Sequence, residues 1–326
     1  MFLNKIQSTV EKMNLLGEAK QAFLFILDFK CDKPLIIPLE NINGDEILYS
    51  LNDNYNYEKP LLSDTPLEFD LETVTKKKYT KAFNLVQKHI HHGDSFLLNL
   101  TMPSKIRSNY SLKDIFFASK AKYKLWLKDN FVVFSPEIFI QTKNNHISSF
   151  PMKGTIDASI PDAKNKLLSS EKELAEHYTI VDLIRNDLSI VSKNVKVEQF
   201  RYIDKINTNR GELLQMSSKI TGELNNGWQS NIGNLIVSLL PAGSISGAPK
   251  KKTLEIIQEA EAYERAYYTG VFGIFDGQDI DSGVMIRYVE KTNEGLVYKS
   301  GGGITAKSNL EEEYQELIQK VYIPIN

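Results

Sequence analysis

A single cysteine, Cys31, stands in 326 residues. One thiol cannot close an internal disulfide, so the chain reads as a protein of a reducing, cytoplasmic compartment. Cys31 follows the apolar run Ala22–Leu27 and lacks a glycine-rich elbow, so it reads as structural rather than nucleophilic. Basic residues cluster only briefly, at Lys76–Lys78 and Lys250–Lys252, and the formal net charge is −2. That balance excludes an ordinary nucleic-acid-binding face. Long apolar runs are also missing. The longest early one has six residues and ends at Asp28, too short for a signal-peptide core or a membrane span. There is no P-loop, no dinucleotide fingerprint and no pyridoxal-phosphate lysine motif. No Ser/Gly/Pro-rich linker and no internal repeat breaks the chain, so a single domain over residues 1–326 is expected.

What is present is a globular composition, 42% hydrophobic and 25% charged, in a chain long enough to bury a core unaided. Helices are predicted over 1–20, 76–92, 170–186, 231–239, 249–264 and 308–320. The second rests on Tyr79, Phe83, Val86 and Ile90, spaced by three or four. Strands are predicted over 22–29, 94–102, 146–150, 195–203, 212–224 with a break at Gly222, 269–276, 282–290 and 295–300. Residues 131–134 and 137–141 read as a hairpin around Pro136, and 41–70 mostly as loop. The elements mix rather than alternate, which favours α+β with large antiparallel sheets.

Two helices carry paired carboxylates. Ser308–Glu311 has the form of a capping box, which makes Glu311 structural. Glu313 and Glu316 then share a face with Lys320. Either a solvated surface with one Glu–Lys pair or a metal-plus-substrate face satisfies that spacing. Carboxylate oxygens suit a hard cation such as Mg²⁺. Ser170–Glu173 repeats the capping pattern, and Glu176 follows one turn later beside Ile180, Val181 and Leu183. A carboxylate beside an apolar stripe needs a partner when buried. Arg185 and Asp187 read as ion-pair residues.

Three glycines, Gly301, Gly302 and Gly303, precede the last helix. They are expected after a strand, where positive φ and bare N–H groups would form an anion nest. Leu240–Lys250 is a Gly/Pro loop feeding a helix. It suits either a carboxylate ligand or tight packing on a sheet. Lys153 lies in Pro151–Thr155. It reads either as a surface charge or, if desolvated, as an amine able to act as nucleophile or base.

Pro-Met-Lys-Gly-Thr at 151–155, Glu-His-Tyr-Thr-Ile-Val-Asp-Leu-Ile-Arg-Asn-Asp-Leu at 176–188 and Pro-Ala-Gly-Ser-Ile-Ser-Gly-Ala-Pro-Lys at 241–250 occur in order. Gly-Gly-Gly-Ile at 301–304 and Glu-Tyr-Gln-Glu at 313–316 follow. Together these motifs resemble the chorismate-utilising enzyme family over 76–326, with 1–75 as a reduced N-terminal region. The resemblance implies an α/β sandwich of large antiparallel sheets flanked by helices. It implies Mg²⁺ held by Glu173, Glu176, Glu313 and Glu316. Chorismate carboxylates would be bound by Tyr268, Arg287, Lys320 and the N–H groups of Gly301–Gly303, with Thr155 also at the substrate.

Among members, the chain is most similar to component I of the aminodeoxychorismate synthases, because Lys153 stands where anthranilate synthases usually have Ala. The implied reaction has Lys153 attack ring carbon C2, with Glu176 in the catalytic set. Ammonia then gives 4-amino-4-deoxychorismate, for para-aminobenzoate and folate synthesis. Leu97 stands where water-adding members carry a lysine base. Gln215 stands where many members carry a His, and the early region implies no tryptophan feedback. No glutaminase motif is visible. The ammonia would therefore come from solution or from a separate glutamine amidotransferase subunit.

Overall fold

The computed structural model describes residues 2–58, 65–208 and 211–325. Among them the fold is mixed α/β, with two nine-stranded antiparallel sheets and helices packed on them. The chain forms two compact units, each holding one sheet and each assembled from three stretches of sequence.

The first unit comprises Met1–Glu40, Glu137–Ser244 and Gly270–Val284. In spatial order its strands are Met152–Asp157, Gly211–Glu223, His146–Ser149, Ile138–Lys143, Ile280–Val284, Val271–Phe275, Phe23–Leu27 and Leu35–Pro38. Lys193–Thr208 pairs with Gly211–Glu223 as well. Every residue of Phe23–Leu27 and Val271–Phe275 is buried. Unbroken apolar runs of this kind are what a strand covered on both faces requires. The helix Glu171–Val191 outlasts its expected end. Its apolar stripe, Ile180, Ile184 and Leu188, is buried, and the helix packs beside the long hairpin of Lys193–Thr208 and Gly211–Glu223.

The second unit comprises Asn41–Pro136, Ile245–Thr269 and Met285–Asn326. Its strands run Gly247–Ala248, Leu97–Ser108, Gly295–Ile304, Tyr288–Thr292, Phe131–Ser135, Tyr123–Leu127, Ile47–Leu51 and Asn54–Tyr55. Phe69–Glu72 joins the edge of Leu97–Ser108. Helix Lys76–His92 forms where its spacing places it. Thr75 caps its start and Gly93, at φ +89°, ends it. Its Tyr79, Phe83, Val86 and Ile90 enter one core cluster with Leu98, Leu100, Ile256, Ile304 and Leu317. Burying side chains of this size contributes about 1.5–3 kcal/mol each.

Several expectations are corrected. Phe131–Ser135 and Ile138–Lys143 are not a hairpin: the first pairs with Tyr123–Leu127 and Tyr288–Thr292, the second with His146–Ser149 and Ile280–Val284. Pro136–Glu137 carries none of the Asn-Gly chemistry of a two-residue hairpin turn. The run 282–290 is two strands of different sheets, interrupted by Arg287 at φ +53°. The described part of 41–70 is mostly loop, as expected, but it also holds the strand Ile47–Leu51, wholly buried although embedded in Asn and Asp. The strand Gly211–Glu223 runs through Gly222 without a break.

Candidate functional site

In the first unit, Lys153 lies on Met152–Asp157, whose pairing with Gly211–Glu223 shifts register between Lys153 and Thr155. Lys153 is opposite Met216 and Thr155 opposite Gln215. Gly154, between them, has φ +74°, and a Cβ there would stand 2.9 Å from a Glu173 carboxylate oxygen. This bulge re-aims its neighbours. Lys153 Nζ comes within 3.7 Å of Glu176 Oε2, with side-chain exposures of 22% and 12%. Glu173 sits one turn earlier, where its N–H donates to Ser170 Oγ at 3.4 Å, the expected cap. The side chain of Thr155 lies outside the described residues.

His177, adjacent to Glu176 in the 176–188 motif, carries no role that the sequence signals. Its Nε2 is 2.7 Å from Ser218 Oγ, which also accepts the Arg201 N–H at 3.0 Å. The ring is fully buried. Burial, then the positive charges of Arg201 and Lys153, lower its pKa from 6.5 to about 4. It is therefore a neutral imidazole that ties the acidic helix to the strand carrying Gln215. Only its burial reveals this, since a histidine on an apolar face gives no separate signal.

In the second unit, helix Leu310–Gln319 starts differently from expectation. Asn309 is the N-cap, accepting from the N–H groups of Glu311 and Glu312 at 2.9 and 3.3 Å. Ser308 instead donates to Glu313 Oε1 at 2.7 Å, and Glu311 pairs with Lys76. Both Ser and Asn favour caps, so the spelling alone does not separate them. Glu313 is buried, while Glu316 is partly exposed and pairs with Lys320 at 2.5 Å. Lys320 also donates to the Gly301 carbonyl at 3.0 Å. Tyr79 lies against this pair: burial, with the charges of Glu313 and Glu316, pushes its hydroxyl pKa up.

The three glycines belong to the strand Gly295–Ile304, opposite Thr101, Leu100 and Asn99. None has positive φ, so they form no nest of the expected kind. Their absent side chains give clearance instead. A Cβ on Gly302 would lie 3.2 Å from Glu313 Oε2 and 3.5 Å from Glu316 Oε1.

Arg287 stacks over Tyr322 at 5.0 Å and donates to the Lys320 carbonyl at 3.4 Å. Its buried Nε has no hydrogen-bond partner among the described residues. Burial works against its charge, while Tyr298, Tyr322 and Tyr268 favour it. Tyr268 is buried, 5.7 Å from the Tyr288 ring. An unsatisfied guanidinium N–H is a natural receptor for a carboxylate.

Elsewhere, Cys31 is buried, and burial with Asp28 and Asp32 raises its pKa to about 12. It stays a thiol and is no nucleophile. Arg185 pairs with Asp182 at 3.5 Å. Gly247–Ala248 pairs with Leu97–Leu98, so the Gly/Pro loop does pack on a sheet. Among the described residues, no group of three or more His, Cys, Asp or Glu side chains is placed to hold a metal ion. Each unit offers one carboxylate pair, and Mg²⁺ commonly takes one or two carboxylates with water and substrate oxygens. Within each unit, the pair and the glycine beside it offer hard oxygen donors of the kind that ion takes. No described helix is long and apolar enough to cross a membrane.

A family described as chorismate binding enzyme matches residues 40–326. An "Uncharacterized PabA-like protein" of Haemophilus influenzae is 49% identical, over 100% of this chain and 99% of its own. Component 1 of aminodeoxychorismate synthase from Salmonella typhimurium is 34% identical over 76% of this chain and 57% of its own. An anthranilate synthase component 1 of Haloarcula marismortui is 32% identical over 80% and 56%. The chain thus spans little more than half of these last two relatives. The structure of the menaquinone-specific isochorismate synthase of Escherichia coli superposes with a TM-score of 0.72 at 16% identity, covering 98% of this chain and 81% of that one. The matched segment, the relatives and the architecture agree: this chain belongs to the chorismate binding enzyme family.

Proposed function

We propose that the chain is the synthase component that converts chorismate and ammonia to 4-amino-4-deoxychorismate, in the cytoplasm, for para-aminobenzoate and folate synthesis. The observation that carries this reading is Lys153, held 3.7 Å from Glu176 on a bulged strand.

Arg287, with its spare buried N–H, and Tyr268 would hold one carboxylate of chorismate, and Lys320 with the Gly301–Gly303 strand would hold the other. Glu173, Glu176, Glu313 and Glu316 are the donors proposed for Mg²⁺, which would supply Lewis-acid polarisation of the departing C4 hydroxyl. Lys153 must lose a proton before it can attack C2, and Glu176, 3.7 Å away, is the proposed acceptor. Attack forms the C2–N bond as both ring double bonds shift, C1=C2 to C1=C6 and C5=C6 to C4=C5, and the C4–O bond breaks. Ammonia then bonds to C4, the C2–N bond breaks and Lys153 is regenerated. Water is the other product. The ammonia would come from solution or from a separate glutamine amidotransferase subunit.

The rival is anthranilate synthesis, which goes on to eliminate pyruvate and make an aromatic ring. The choice against it rests on Lys153, which stands where the anthranilate synthases usually have Ala. The enolpyruvyl group is expected to stay on the product. Lys153→Ala, compared with the unaltered protein under ammonium and Mg²⁺, tests the nucleophile. Loss of aminated product supports the reading, and near-normal turnover removes it.

A further inference from the structure

The segment after helix Lys250–Glu261 ends in Tyr268 and Thr269. Three of its residues lie in the left-handed region without being glycine: Ala262 at φ +50°, Ala266 at +53° and Thr269 at +63°. For a β-branched residue that conformation is a clear outlier. Such backbone persists only where its surroundings over-determine it.

Those surroundings are polar and buried. Arg265 pairs with Glu261 at 2.6 Å, each side chain 1% exposed. Its guanidinium also reaches the carbonyls of Asn99 and Ile245, at 2.6 and 3.2 Å, and Thr269 Oγ1 at 3.3 Å. Glu261 accepts in turn from Thr101, through its N–H at 2.8 Å and its hydroxyl at 2.7 Å.

The carbonyl of Arg265 then accepts twice, from Lys299 Nζ and from the Tyr268 N–H, both at 3.0 Å. Lys299 is 2% exposed, unusual for a lysine. It also donates to the Glu264 carbonyl at 3.2 Å and pairs with Glu290 at 2.8 Å. Glu290 accepts from Tyr288 Oη at 3.2 Å, and the Tyr288 ring centre lies 5.5 Å from Lys299 Nζ and 5.7 Å from the Tyr268 ring centre. Two carbonyls and a carboxylate thus use all three lysine donors. Burial lowers the Lys299 pKa, and Glu290 opposes that shift. The proposed chemistry does not use this ammonium.

We propose that Lys299 is a positioning residue: through the Arg265 carbonyl and Tyr288 it fixes Tyr268, and with it the carboxylate grip that Tyr268 shares with Arg287. The part concerning the ligand rests on the chorismate reading; the part concerning Tyr268 does not.

The test places 3-fluorotyrosine at position 268 of the full chain and follows its fluorine resonance in Lys299→Met. A shifted or broadened resonance, with cooperative unfolding retained, is expected. KM for chorismate should rise about tenfold while kcat stays within about threefold, and Lys299→Met should add little in a Tyr268→Phe background, as for coupled neighbours. An unmoved resonance, or additive effects of the two substitutions, overturns the proposal. If Lys299→Met does not fold, Glu290→Gln is read by the same criteria. Failure of the unaltered protein to bind chorismate would defeat the reading of the substrate, while the fluorine measurement would still decide the role of Lys299.

Discussion

Gly302 faces Glu313 across a gap that is tight for a methyl group: a Cβ would stand 3.2 Å from Oε2. The carboxylate is buried and held from its other oxygen by Ser308 at 2.7 Å. Making room would move it by a few tenths of an ångström and stretch that bond. The glycine is therefore set by the acid beside it, and the acid by the serine behind it. Gly302→Ala should leave stability within about 1.5 kcal/mol, as for a small overpacking change. The Mg²⁺ concentration giving half-maximal activity should rise about tenfold. Urea unfolding and Mg²⁺ titration check the two halves separately; an unchanged Mg²⁺ requirement would show that the carboxylates need no such clearance.

Glu316→Gln removes a charge from the same pair and leaves Lys320 without its partner at 2.5 Å. Loss of a donor or its support typically costs about 10–100-fold in metal affinity or activity. Calorimetric titration with Mg²⁺, done without substrate, reads the affinity directly. An affinity equal to that of the unaltered protein would remove Glu316 from the proposed set.

The start of the last helix gives a prediction that separates two caps. Asn309 accepts from two helix N–H groups, so Asn309→Ala should cost about 1 kcal/mol. Ser308→Ala should leave the helix start intact and act instead on Glu313, which loses its hydrogen bond. Amide exchange at Glu311 and Glu312 reads the helix start: protection should fall in Asn309→Ala and hold in Ser308→Ala, and the opposite pattern would restore the capping box read from the sequence.

The buried His177 makes stability depend on pH. Its pKa is lowered from 6.5 to about 4, by burial first and then by Arg201 and Lys153. Between those values the unfolded chain binds a proton that the folded chain refuses. Stability present above pH 6.5 is therefore lost as pH falls toward 4, by about 3 kcal/mol for this group. Carboxylates titrate over part of the same range, so the reading is a difference. His177→Phe should show a shallower loss of unfolding free energy between about pH 7 and about pH 4.5. Parallel curves would mean the histidine carries no such penalty.

Much of this was legible in the chain. Tyr79, Phe83, Val86 and Ile90, with Thr75 before and Gly93 after, specify one helix by period and caps. Ser170 marks the start of the acidic helix, and its first turns put Glu173 beside Gly154 and Glu176 beside Lys153. Partnership across distance was not legible. Runs of aromatic and β-branched residues mark the strands on either side of Pro136 but not their neighbours. Adjacent Ser308 and Asn309 are both cap formers, and only backbone angles choose between them. Three glycines spell a turn as readily as a strand lying against carboxylates. Lys299 looks like any surface lysine until Glu290 and two carbonyls close around it.

The most direct test of the account is the identity of the product formed from chorismate, ammonium and Mg²⁺ by the purified chain. The account predicts 4-amino-4-deoxychorismate with its enolpyruvyl group retained, and none from Lys153→Ala. Anthranilate fluorescence without any added lyase, or no amination at all, would contradict it.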